Sequence, residues 1–400
     1  MKVLFLAIVF LTIIVLLAIR RPLYQAILGG LLLTIIFYRI PLIEAGGHVV
    51  SVITTWSSLS VLVAFYLISF FQRVLDARSQ LKLAQEDLNG IFHNRRINTA
   101  GSAIFIGLLP AAAAMVLCSQ IVKDASDGYL DKKEQAFVTS WVRHIPESIL
   151  PTYTGVLLML NISGIETSAY VIGMLIPVVV LMMIGYFACL RKIPKDPGTP
   201  ESADKKKDVL HLFKHLWSLM LIVLLILVFK MKVVWAVLVV ILCCLVVYRI
   251  KWSELKPMFV SAFEKKLLLN TFLVLVLKEF IAQTGVLELL PDMMQRLPLP
   301  TYLIFALLFF LVTIISGSGG AIAMGAPLAF AAMPVTTPLV VYLMCITHAA
   351  SQIGPTHTCI MVASEYYGIT IGEMIRKTIP YALLFCVLMT VYYNLWVFFF

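Results

Sequence analysis

The chain is a succession of long apolar runs, near residues 3–19, 23–43, 54–71, 100–122, 136–161, 166–190, 215–230, 233–248, 267–290, 302–335, 337–361 and 378–399. Most approach or exceed the roughly 20 residues a helix needs to cross the hydrocarbon core of a bilayer. They leave no room for a separate soluble domain. With 61% hydrophobic and 13% charged residues, the chain stands far from the about 45–50% apolar and about 25% charged of soluble proteins. A soluble enzyme, a disordered chain and a nucleic-acid-binding domain are thereby excluded. The net charge of +10 does not indicate a polyanion partner, because the basic residues fall in the short segments between apolar runs. Such segments are the mark of loops held against an anionic cytoplasmic leaflet. Lys2, the run to Ile19 and then Arg20 and Arg21 read as a retained first membrane helix, too long for a signal-peptide core. The seven cysteines all lie in apolar stretches without CxxC or Cys/His ligand spacing, so neither a disulfide nor a metal site is expected.

Internal repetition carries the most information about architecture. Residues 144–165 (HIPESILPTYTGVLLMLNISGI) and 348–369 (HAASQIGPTHTCIMVASEYYGI) align at an offset of 204 without a gap, with seven of 22 positions identical. Upstream, GLLPAAAAM (107–115) stands where SGSGGAIAM (316–324) stands in the second copy. The domain plan is therefore two N-terminal membrane helices (1–49), a first repeat (50–190), a two-helix linker with basic loops (191–264) and a second repeat (265–400).

Placing the basic loops on the cytoplasmic side makes the two repeats enter the membrane from opposite faces, the inverted-topology plan of secondary transporters. The loops agree only if 100–122 and 302–335 each enter and return on one side, as re-entrant hairpins with tips at Pro110 to Ala114 and Gly317 to Gly320. The fold expected is an all-α polytopic membrane protein with two inverted repeats, broken helices at 136–161 and 337–361, two hairpins and about ten spanning helices.

Pro151 and Pro355 each open a Pro-Thr-x-Thr segment. Proline donates no backbone hydrogen bond and clashes with the preceding turn, so carbonyls near Glu147 to Leu150 and Ser351 to Gly354 lose helical partners. Freed carbonyls and hydroxyls suit a small cation, and the helix restarting after each break offers its N-terminus to an anion. Thr152, Thr154, Thr356 and Thr358 are therefore expected to face one central cavity, with Ser318, Gly319, Gly320 and Arg143 also at the substrate. His144, His348, Glu147, Pro151 and Pro355 are the candidates for coupling-ion or proton handling, because ionisable groups at membrane depth are costly. Arg143 and Glu147, four residues apart, also form a plausible ion pair.

The segments GLLPAAAAMVLCSQIVKD, SWVRHIPESILPTYTG and QIGPTHTCIMVASEYYG resemble the integral-membrane family called domain of unknown function 401, from about residue 50 to the end. That family is similar to the ion transporter superfamily, which includes gluconate, citrate and dicarboxylate permeases. The resemblance implies a site built from the two broken helices and the two hairpins. The family tends to carry Pro-Gly-Gly at the first hairpin tip, where this chain has Ala111 to Ala114.

The function expected is secondary active transport of a small organic anion, a carboxylate by preference, driven by Na⁺ or H⁺. No phosphate-binding Gly-x4-Gly-Lys-Ser/Thr motif is present to use ATP. No enzyme activity and no cofactor beyond a coupling Na⁺ are expected. The expected partners are an anionic small molecule and the lipid bilayer, without nucleic acid and with a homodimer admitted. The expected location is the cell membrane. Two rival readings are an intramembrane serine hydrolase using Ser318 and His348, and a channel or non-transporting scaffold.

Overall fold

A backbone surrounded by hydrocarbon must satisfy its own hydrogen bonds, and a helix does so within one segment. In the computed structural model the elements are helices, and no strand occurs among the described residues. The structure describes residues 1–19, 21–80, 83–84, 87, 91–108, 112–196, 204–294, 298–355 and 357–399. Pro110 and Ala111 of the first hairpin tip, and Thr356, lie outside them.

The element order runs twice. The first series is α1 (Lys2–Ala18), α2 (Leu23–Tyr38), α3 (Leu42–Thr54), α4 (Trp56–Ala77), α5 (Arg95–Gly107), α6 (Ala112–Ser126), α7 (Lys132–Arg143), α8 (Ile145–Ile149), α9 (Thr154–Ser163) and α10 (Thr167–Ala188). The second is α11 (Lys205–Leu227), α12 (Val233–Val247), α13 (Trp252–Ser261), α14 (Lys265–Gln283), α15 (Thr301–Ala332), α16 (Thr337–Ser351), α17 (Thr358–Tyr367) and α18 (Ile371–Phe399). Each series holds a helix pair, a short helix, a long helix, a paired or bent segment, an interrupted helix and a closing helix. The packing is exchanged between them: α2 lies on α14 and α12 on α4, α9 on α15 and α17 on α6, α10 on α16 and α18 on α7.

Among the described residues five helices have the length and hydropathy to cross a membrane: Trp56–Ala77, Thr167–Ala188, Lys205–Leu227, Thr301–Ala332 and Ile371–Phe399. Shorter apolar helices stand beside them, and the whole is an all-α polytopic membrane protein. Thr301–Ala332 is not a straight rod. Gly317 inside it has φ 78° and ψ 170°, a conformation open in practice only to glycine. A Cβ added to Gly325 would lie 2.5 Å from the Phe309 ring, although sixteen residues of straight helix span about 24 Å. The chain therefore reverses at Gly317, and limbs 301–316 and 318–332 lie side by side.

Two segments differ from the sequence expectation. The run 23–43 ends at Tyr38, because Arg39 takes a left-handed φ of 53° and Pro41 starts a new helix. That helix, α3, buries Ala45 and Val52 while Leu42 and Ile43 stand 79% and 90% exposed. The basic loop 249–266 likewise holds α13, whose Trp252 and Val260 are exposed. Both have an uncovered apolar face, the pattern of a helix lying in a membrane interface.

Candidate functional site

Two interrupted helices define the centre. In the first, α7 and α8 run to Ile149 and the chain restarts as α9 at Thr154. In the second, α16 ends at Ser351 and the chain restarts as α17 at Thr358. Both restarted helices close on a glycine of positive φ, Gly164 and Gly368, two of the residues identical between the copies. Carbonyls released by the breaks find partners elsewhere, as buried polar groups must. Ser148 O accepts from the Tyr170 hydroxyl, and Ser351 O accepts from the His357 ring Nδ1 at 3.0 Å. Gln352 Oε1 in the second break accepts from the Ser140 hydroxyl at 3.2 Å, tying that break to α7.

A cavity of about 420 Å³ opens where these elements meet, walled by residues of α7 to α9, α15, α16 and α17. A second cavity of about 440 Å³ adjoins it and reaches Leu17, Arg21 and Leu23; the two share Glu147, Ser318, Ser351, His357 and Thr358.

Six of the thirteen sequence candidates gather here. Thr154 and Thr358, each opening a restarted helix, line the 420 Å³ cavity together with Arg143, Glu147, Ser318 and His348. Gly319 and Gly320 begin the second limb of the hairpin but line neither cavity. Pro151 and Thr152 lie instead on an apolar crevice against the α11 leucines, because the turn at 151–153 points them away from the centre. Pro355 is exposed and lines neither cavity.

Arg143 is only 1% exposed, and its Nη1 lies 3.4 Å from Glu147 Oε1, whose side chain is 27% exposed toward the cavity. The same Nη1 lies 3.4 Å from His144 Nε2 and 3.5 Å from Cys359 Sγ. Gly107 holds this arrangement from behind. A Cβ there would stand 2.1 Å from the Arg143 carbonyl oxygen, and the Tyr153 hydroxyl donates to the Gly107 carbonyl.

His144 and His348 occupy equal sequence positions but unequal surroundings. His144 is fully buried with Nδ1 2.6 Å from Ser140 O, whereas His348 borders the cavity with Nε2 lacking a hydrogen-bond partner among the described residues. His357, not His348, meets His144, with ring centroids 4.7 Å apart. Cys359, expected from the sequence to take part in neither a disulfide nor a metal site, lines the cavity beside them. Its position one residue beyond His357 and Thr358 was the available signal.

At the start of α7, outside the apolar run, Glu134 accepts from Lys192 Nζ and from Lys377 Nζ, the latter at 3.2 Å. Burial alone raises a carboxyl pKa, but these two ammonium groups outweigh it and hold Glu134 below its ordinary range. The contact joins α7 to the segment after α10 and to α18.

No curated protein matches the sequence. Among solved structures the chain is similar to the MtrF protein of Neisseria gonorrhoeae, described as illuminating a class of antimetabolite efflux pumps. The TM-score is 0.50 at 14% identity, covering 90% of this chain and 85% of that one. The two share a fold. A family model described as "Protein of unknown function (DUF401)" matches residues 3–396, nearly the whole length and more than the segments near the breaks. The chain belongs to that family.

Proposed function

We propose that the protein is an ion-coupled secondary active transporter of a small organic anion of the carboxylate type, working in the cell membrane by alternating access. The observation that carries this reading is the 420 Å³ cavity between both interrupted helices and the α15 hairpin, with Arg143 and the first turns of α9 and α17 around it. A guanidinium and two helix N-termini favour a carboxylate at one end of the cavity. The fold shared with MtrF, itself described as an efflux pump, supports a transporter.

In this reading 50–190 and 265–400 are two inverted repeats, each preceded by a helix pair, and 100–122 and 302–335 are re-entrant hairpins entering from opposite faces. The pairs α1–α2 and α11–α12 then hold matched places. Ser318 and His348 border the same cavity, which keeps the serine-hydrolase alternative in view, but no hydrogen bond joins them among the described residues. Ser318→Ala separates the two: a hydrolase loses all turnover, whereas a carrier retains flux.

The first test is thermal unfolding of purified protein against a panel of small carboxylates, with and without Na⁺. A ligand at 100 times its Kd stabilises the folded state by about 2.7 kcal/mol. A carboxylate-dependent rise in melting temperature supports the reading, and no rise across the panel opposes it.

A further inference from the structure

We propose that His144, His357 and Cys359, with Glu147 beside them, form a binding site for a transition-metal dication of the zinc type in the wall of the central cavity. The donor atoms of His144, His357 and Cys359 all lie within 4.8 Å of one another, and Glu147 Oε1 is 3.9 Å from His144 Nε2. Two of the four residues come from the first interrupted helix and two from the second break and its restarted helix.

The tautomers are already those of ligands. His144 Nδ1 lies 2.6 Å from Ser140 O, and His357 Nδ1 lies 3.0 Å from Ser351 O. A carbonyl oxygen only accepts, so in each neutral ring Nδ1 carries the hydrogen and Nε2 keeps its lone pair. Metal-bound histidines are oriented in the same way, by a backbone carbonyl on the far nitrogen. In the second break that carbonyl is one the helix interruption has released.

A guanidinium already bridges three of these groups. Arg143 Nη1 is shared among His144 Nε2, Cys359 Sγ and Glu147 Oε1 at 3.4, 3.5 and 3.4 Å. Contacts to nitrogen and oxygen at that length lie beyond the usual 2.7–3.2 Å. Two imidazoles, a thiol and a carboxylate suit zinc and its neighbours, whereas Na⁺, Mg²⁺ and Ca²⁺ prefer all-oxygen shells. Zinc bonds of about 2.0–2.3 Å set tetrahedral ligand atoms about 3.3–3.8 Å apart, so binding draws together the three donors that now lie within 4.8 Å of one another.

As the metal–sulfur bond forms, the Cys359 thiol releases its proton to solvent. The dication is then neutralised by the thiolate and the Glu147 carboxylate. Arg143 then shares Glu147 with the metal, which strengthens its pull on an anion in the cavity. This last consequence rests on the anion-transport reading; the metal site does not.

Cobalt(II) titration of the full chain, purified in detergent and stripped with a chelator, tests the site. A thiolate-to-cobalt charge-transfer band saturating at one equivalent and displaced by Zn²⁺ is expected. Cys359→Ser removes the band, His357→Ala weakens cobalt affinity by at least about 10-fold, and Cys243→Ser changes neither. No thiolate band in the wild type, or an unchanged band in Cys359→Ser, overturns the proposal. Should Cys359→Ser not fold, mass spectrometry of alkylated wild-type protein decides, since Zn²⁺ must protect Cys359 from the reagent and equal labelling with and without the metal overturns the site. Carboxylate stabilisation measured in chelator keeps the two readings apart, because its absence with the cobalt band present removes only the anion-transport reading.

Discussion

Arg143 is the residue on which two demands meet. It is buried, it pairs with Glu147, and it is a guanidinium on the cavity wall. Removing one partner of a buried ion pair leaves the other uncompensated, at a cost of about 3 kcal/mol. Arg143→Gln is therefore expected to lower the melting temperature and to abolish carboxylate-dependent stabilisation. The double change with Glu147→Gln should recover most of the stability but none of the anion response, as a two-ligand thermal unfolding cycle will read. A double variant that regains anion binding would show that Arg143 only neutralises Glu147. Gly107 gives a second test at this scale. Gly107→Ala forces a methyl against the Arg143 carbonyl, and overpacking of this kind costs about 1–3 kcal/mol. It should weaken anion binding as well as stability, because the displaced backbone carries Arg143 with it.

The elements follow from local chemistry to differing degrees. The reversal at Gly317 falls within the Ser-Gly-Ser-Gly-Gly run, and the two helix interruptions fall at Pro151 and Pro355. Gly317→Ala is expected to destabilise by about 1–3 kcal/mol through its backbone strain. Gly319→Ala, two residues on, in a helical limb and with nothing within 4 Å of an added Cβ, should be neutral or stabilising. Equal effects from the two changes would argue against the reversal. The surface helices α3 and α13 were not legible, since short amphipathic turns beside charged residues look like loop. Thr152 was read as a site residue because spacing does not say which way a turn of three residues points its side chains. The contact of Glu134 with Lys192 and Lys377 is a further device at this scale. Its pKa is lowered in the folded protein, so its stabilisation is present above the ordinary carboxylate value and is lost as pH falls below it. The melting temperature should fall on acidification below about pH 4.5, and fall less steeply in the Lys192→Met, Lys377→Met double variant.

At the scale of the whole molecule, the sequence showed repetition most clearly where identity persists, at 144–165 and 348–369. The paired order of elements extends beyond that segment, to helix pairs whose sequences are so uniformly apolar that no residue identity marks them. The meeting of His144 with His357 and Cys359 was hidden for a different reason. It depends on two interrupted helices crossing, a relation between residues more than two hundred positions apart that no local spacing records. The exchanged packing, with each restarted helix lying on the bent segment of the other series, puts the cavity at the junction of both halves. In the proposed alternating access, relative movement of the two series changes access to it. Uptake by proteoliposomes tests this central claim most directly. With an imposed Na⁺ or H⁺ gradient, wild-type protein is expected to accumulate at least one small carboxylate and Arg143→Gln to accumulate none, whereas no gradient-driven accumulation across a broad carboxylate panel by folded wild-type protein would contradict it.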